Sequence, residues 1–203
     1  MIAVKDADFY VTTPSDVTAD TCYEQGTVDI LADDLDGALT AAKDVVALLP
    51  GNNLSPAPVY DFTAPSVAVD TGASAMDVIC AVADAGSVVE LKGGYAIHCV
   101  TALATVGGTT VGFVAFDGSA VCPACAYKAE AFVKLCDAYN LPILTVADAD
   151  GFVKDAENAM LTAATRMETA YATATCPKIA LITSKSIGGA YIALAGKGAN
   201  ADL

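Results

Sequence analysis

The segment Lys178 to Lys197, KIALITSKSIGGAYIALAGK, holds the residues best spaced for chemistry. Ile179 to Ile182 is an apolar run that predicts a short buried strand. Thr183 to Ser186 is a polar turn, Gly188 and Gly189 follow, and Ala190 to Ala195 predicts a helix. A strand that turns through Gly-Gly into a helix leaves backbone N–H groups unpaired at the helix N-terminus. Glycine lets a ligand approach those groups. Such a turn can hold a carbonyl oxygen that is becoming negative. The same two glycines also suit a place where a helix packs closely on a strand, and that plainer reading stands beside the first.

Three other stretches carry reactive side chains. Cys122-Pro123-Ala124-Cys125 is a C-x-x-C that opens a predicted helix, Ala126 to Tyr139, after a strand. Redox dithiols are placed in this way, and a helix N-terminus lowers a thiol pKa. Cys136 offers a third thiol, but a tetrahedral zinc site needs four ligands and no second C-x-x-C occurs. His98 is the only histidine. It can act as a general base near neutral pH, or simply satisfy a hydrogen bond at a strand edge, and no Asp or Cys partner stands near it in sequence. Asp148 and Asp150 suit acid–base work or magnesium, or else cap a strand end and a helix start. The spacing from Gly189 to Lys197 is wrong for a phosphate-binding Walker loop, with Gly198 where Ser or Thr belongs.

Composition narrows the classes. At 203 residues the chain is long enough for one domain with a substantial core. Hydrophobic residues make up 55%, and mean hydropathy is +0.51, which predicts large buried surfaces. The net charge of −14 argues against nucleic acid, whose phosphates need a basic face. The seven cysteines are scattered, and the opening Met1-Ile-Ala-Val-Lys-Asp has no long apolar core of a signal peptide. A reducing cytoplasm is the expected setting. Gly93 to Phe116 is almost free of charge, but Gly107-Gly108 divides it into two β-branched runs, so a hairpin is expected there and not a membrane span.

The elements that must position these residues follow from periodicity. Phe9 to Asp16 reads as extended and turn-rich, Gly26 to Ala32 as a strand, and Asp33 to Leu49 as a helix. Leu35, Leu39, Ala42, Val46 and Leu49 form that helix's expected core face. Residues 54–73, with three prolines, read as a linker. A helix is expected over Ser74 to Ala85, with Asp77 favourably placed near its N-terminus. Strands are expected over Ser87 to Leu91, Ile97 to Thr105, Thr109 to Phe116 and Leu141 to Ala147, and a helix running to about Thr175.

TSKSIGGAY, preceded by CPKIALI and followed by GANADL, resembles the C-terminal half of biotin-dependent acyl-CoA carboxyltransferases. These are the β subunits of propionyl-CoA and acetyl-CoA carboxylases and the carboxyltransferase subunits of sodium-pumping decarboxylases. MDVICAVADAGSVVELKGGYA and YKAEAFVKLCDAYNLPIL are similar to further parts of that half, and the helix ending in Leu49-Pro50 and Asn52-Asn53 is similar to the tail of the family's first half. The resemblance implies a crotonase-like (ClpP/crotonase) α/β spiral of ββα units, incomplete relative to the family. It divides the chain into a tail (1–53), a linker (54–73) and a carboxyltransferase-like domain (74–203).

The resemblance also implies a site. The amides of Gly189 and Ala190 would form one of the family's two oxyanion holes. Gly188, Tyr191, Ile192, Gly151 and Phe152 would contact substrate, Ile192 falling where the family tunes acyl-chain selectivity. The implied reaction is carboxyl transfer between carboxybiotin and a short-chain acyl-CoA, in a carboxylase or a decarboxylase. Biotin would be carried on a separate protein, and no metal would be bound. The chain departs from the family in places. Asp150 replaces a proline of Asp-x-Pro-Gly-Phe, the loop after Phe152 is shorter, His98 stands for Asn, and Asp117-Gly118 stands for Asn-Gln. No Ser-Gly-Gly-Ala-Arg turn of the family's first half occurs. A complementary subunit or segment, and a homo- or hetero-oligomer, are therefore expected. The alternatives are a non-catalytic scaffold subunit of such a complex and a C-x-x-C redox or metal protein. An occluded Gly188-Gly189 turn would favour the scaffold.

Overall fold

The computed structural model describes residues 1–8, 17–65, 67–70, 72–154 and 157–203. The expected extended stretch 9–16 lies outside them.

The apolar hairpin is the centre of the fold. β4 (Cys99–Val106) and β5 (Thr109–Phe116) pair antiparallel across Gly107-Gly108. Both glycines have positive φ, 58° and 80°, as a two-residue turn matching the strand twist requires. Asp84 accepts hydrogen bonds from both turn amides, at 2.9 and 2.7 Å. β3 (Val89–Leu91) adds antiparallel to β4, while β6 (Ile143–Val146) and β7 (Lys178–Leu181) add parallel on the far side of β5. The sheet order is β3-β4-β5-β6-β7.

Both faces of the sheet's centre are buried, because alternate residues point to opposite sides. The edge strand β7 is not the buried strand expected at Ile179 to Ile182, since Ile179, Leu181 and Ile182 are exposed where no further strand covers them. Ala102, Ala104, Phe113 and Ala115 face Ala75, Val78 and Ile79 of α3 (Ala75–Val82). Leu103, Val114 and Phe116 face the other way, in one cluster with Phe132 and Val133 of α4 (Pro123–Ala138) and Met160, Met167 and Tyr171 of α5 (Glu157–Thr173). Gly112 is needed in β5 because a Cβ there would come within 2.3 Å of Cys136 Sγ. Ser74 and Asp77 form a capping box at the start of α3. Ahead of this core, β1 (Ile2–Val4) and β2 (Ile30–Ala32) make a small parallel pair beside α1 (Ala19–Glu24) and α2 (Leu35–Leu48).

Several expectations change. The strand expected over 26–32 is only Ile30–Ala32. The helix expected over 74–85 stops at Val82, where Ala83 turns extended, and α4 starts three residues early because Cys122 caps it. The expected core face of α2 is rotated. Of that face Leu35, Leu39 and Val46 are exposed and only Ala42 and Leu49 are partly buried, whereas Leu48 is buried and Val45 partly buried against the core. Ahead of Leu48 the inward face is Ala38, Ala41, Ala42 and Val45, small residues that allow close packing, while Leu35, Leu39 and Val46 stay outside. Cys136 lies against Gly112, about four helical turns from Cys122, and so adds nothing to the C-x-x-C. Residues 54–65, 67–70 and 72–73 contain no helix or strand; Val59 bridges to Thr109.

Candidate functional site

β5, β6 and β7 run parallel, so their C-terminal ends lie along one edge, where ligands of open α/β sheets bind. The loops leaving these ends are stitched together. Gly118 N–H donates to the Asp148 carbonyl at 2.9 Å, Val121 N–H to Gly151 O at 2.9 Å, and Val153 N–H to Val121 O at 3.1 Å. Ala149 N–H donates to Lys185 O at 2.9 Å and Ile187 N–H returns to Ala149 O at 3.2 Å. The Asp148 carboxylate accepts the Lys185 amide at 3.0 Å, and Lys185 Nζ reaches Asp150 at 3.3 Å. Asp148 and Asp150 thus tie two loops together, and among the described residues neither side chain bonds to a helix N-terminus.

This lattice presents the Gly-Gly turn. Gly188 takes a positive φ of 59° and opens α6 (Gly188–Leu194). The N-cap is Ile187, which has no capping oxygen. The amides of Gly188, Gly189 and Ala190 have no hydrogen-bond partner among the described residues. Gly188 and Gly189 are exposed, while the Ala190 side chain is buried. The turn is therefore open, without the occlusion that would favour a scaffold. Gly151, with φ 73°, sends Phe152 toward it, and a Cβ on Gly189 would lie 2.7 Å from the Phe152 ring. Gly188, Gly189, Ala190, Gly151 and Phe152 are thus brought together. Tyr191 and Ile192 stand on the exposed side of α6. What the arrangement can do is accept a negatively charged oxygen at uncapped amides beside an aromatic wall.

One pairing escaped the sequence. His98 Nδ1 lies 2.8 Å from Asp117 Oδ2, at the same strand ends. Burial alone would raise the Asp117 carboxyl, but hydrogen bonds from His98 and Ser119 outweigh it and hold it below the usual range. The hairpin register contained the signal: with Cys99 opposite Phe116, His98 and Asp117 must be neighbours. Ser186 Oγ, just before the turn, is buried and makes no hydrogen bond among the described residues. No group of three or more His, Cys, Asp or Glu among the described residues is placed to hold a metal ion. No helix among them is long and apolar enough to cross a membrane.

A carboxyl transferase domain model matches residues 12–203. The chain is 33% identical over 236 aligned residues to the methylmalonyl-CoA carboxyltransferase 12S subunit of Propionibacterium freudenreichii subsp. shermanii, covering 100% of this chain and 45% of that protein. It is 29% identical to the propionyl-CoA carboxylase beta chain of Saccharopolyspora erythraea, covering 88% and 38%. Among solved structures, the transcarboxylase 12S hexamer with hydrolysed methylmalonyl-coenzyme A bound superposes with a TM-score of 0.87 at 31% identity, over 99% of this chain and 46% of that one. A single-chain, multi-domain long-chain acyl-CoA carboxylase superposes with a TM-score of 0.83 at 27% identity, over 96% and 22%. This chain spans less than half the length of these relatives. The fold is crotonase-like, and the chain belongs to the carboxyl transferase domain family.

Proposed function

We propose that this chain supplies one half of a carboxyl-transfer site acting between carboxybiotin and a short-chain acyl-CoA. The observation that carries this reading is the open, uncapped turn at Gly188 to Ala190 with Phe152 against it. Gly189 and Ala190 N–H donate to an oxygen that becomes negative, either of the thioester or of the biotin ureido group. Gly188 sets the backbone that aims them, Gly151 and Phe152 form the adjoining wall, and Tyr191 and Ile192 border the acyl group. Carboxybiotin, brought on a separate carrier protein, supplies the carboxyl group. No side-chain nucleophile is required.

The work divides between residues 74–203, which carry the site, and 1–53, which extend the fold beyond the linker at 54–73. The exposed leucines and valine of α2 fit a covering segment equivalent to the remainder of the relatives' chains, and homo- or hetero-oligomers of the covered unit follow. The seven cysteines, all free, suit a reducing cytoplasm.

The test is decarboxylation of malonyl-CoA and methylmalonyl-CoA with free biotin. The chain alone should show no turnover. Turnover should appear when the first half of a relative is added, and fall about 10²–10³-fold or more in Gly189→Pro. Absence of both turnover and acyl-CoA binding in every combination would overturn the reading. Robust turnover by the chain alone would overturn the need for a covering half.

A further inference from the structure

Carboxyl transfer uses none of the thiols, yet two of them are arranged as a pair. Cys122 is the N-cap of α4, and its Sγ accepts the Cys125 N–H at 3.1 Å. Residues three apart at a helix start have Cα atoms about 5–6 Å apart, within the roughly 4.4–6.8 Å that a disulfide spans. Cys122 is half-buried and reachable, whereas Cys125 is fully buried.

We propose that Cys122 and Cys125 are a dithiol–disulfide couple in which Cys122 attacks a small disulfide such as oxidised glutathione and Cys125 resolves the product. The Cys122 thiolate forms a bond to one glutathione sulfur, breaking the glutathione S–S bond and releasing one glutathione thiolate. Cys125 sulfur then bonds to Cys122 Sγ, and the second glutathione leaves with the Cys125 proton. Two protein thiols are oxidised and one small disulfide is reduced to two thiols. The order follows from burial and from the Cys122 hydrogen bond, which push the Cys125 thiol up to about 12 and keep it from starting the exchange. Lys128, one turn further along α4, favours the Cys125 thiolate during resolution. Its buried ammonium donates to the Lys92 and Tyr95 carbonyls and has no carboxylate partner among the described residues. The couple adjoins the candidate site, because Val121, the residue before Cys122, bridges to Phe152 in the neighbouring loop.

The experiment incubates the full chain in glutathione buffers of rising oxidised fraction, quenches with N-ethylmaleimide and maps the peptides by mass spectrometry. The expected result is loss of two alkylatable thiols out of seven, as one Cys122–Cys125 disulfide. Cys125→Ser should hold one glutathionyl group on Cys122, and Cys122→Ser should leave Cys125 unmodified, with circular dichroism confirming that both variants are folded. Seven reduced thiols at excess oxidised glutathione, a disulfide mapped to the nearby Cys99, or glutathionylation of Cys125 in Cys122→Ser would overturn the proposal. The readout is independent of carboxyl transfer, so it stands or falls apart from the proposed activity.

Discussion

The Phe152 ring occupies the space a Cβ of Gly189 would need, with Cε2 at 2.7 Å and Cδ2 at 3.0 Å from that position. The second glycine of the turn is therefore fixed by an aromatic side chain from the neighbouring loop. Gly189→Ala must displace the ring or the turn, and overpacking of this kind costs about 1–3 kcal/mol. Phe152→Leu should recover much of that loss in the double variant. A double-mutant cycle in denaturant checks it, and strictly additive costs would show that the two residues do not compete for space.

That relationship also shows where sequence reasoning stops. The strands of the five-stranded sheet, α6 and the Gly107-Gly108 hairpin were legible because each is set by local periodicity or by turn chemistry, whereas the three-residue β1 is too short to show a period. The hairpin register even held the His98–Asp117 pair, since placing the turn places every partner across it. The rotation of α2 was not legible: Leu35, Leu39 and Val46 have a core-like spacing, and only the close approach available to small residues turns the other face inward. The loop lattice from Gly118 to Ile187 was equally hidden, because its bonds join backbone groups far apart in the chain that carry no residue signature.

Asp148 holds the Lys185 amide at 3.0 Å, so it should steady the loop that leads into the turn. Asp148→Ala should cost about 1 kcal/mol and weaken acyl-CoA binding if the proposed site is correct. Asp148→Asn keeps an acceptor oxygen and should lie between the variant and the parent. Denaturant midpoints and calorimetric titration separate the two effects; equal losses in Asn and Ala variants would point to the charge and not to the hydrogen bond.

Asp84 is buried and accepts both amides of the hairpin turn. Burial pushes its carboxyl up, but hydrogen bonds from Gly108, Thr105 and Gly107 outweigh that and hold it below the usual range. Asp84→Ala should accelerate hydrogen exchange at the Gly107 and Gly108 amides before it affects amides in β6. Uniform acceleration across the sheet would show that the turn is not a local unit.

Glu130 couples α4 to α5. It is 4% exposed, and its carboxylate accepts Arg166 Nε at 3.0 and 3.2 Å, Arg166 Nη2 at 3.1 Å and Lys134 Nζ at 2.6 Å. Arg166 also lies 5.3 Å over the Tyr127 ring, which keeps the guanidinium from swinging away. Burial alone would raise the Glu130 carboxyl, but the two cations outweigh it and hold it below the usual range. A carboxyl held low in the folded chain contributes stability above its unfolded value of about 4.3, and that contribution is lost as pH falls through the folded value. Glu130→Gln should therefore cost about 1–2 kcal/mol at neutral pH, and the gap to the parent should close as the pH drops below about 4. Adding Arg166→Ala to Glu130→Gln should cost less than Arg166→Ala costs in the parent, because the charge it serves is already gone. Urea unfolding of the four proteins from pH 3 to pH 7 measures all of this, and a Glu130→Gln penalty that persists unchanged at pH 3 would mean that packing, and not the ion pairs, makes Glu130 matter.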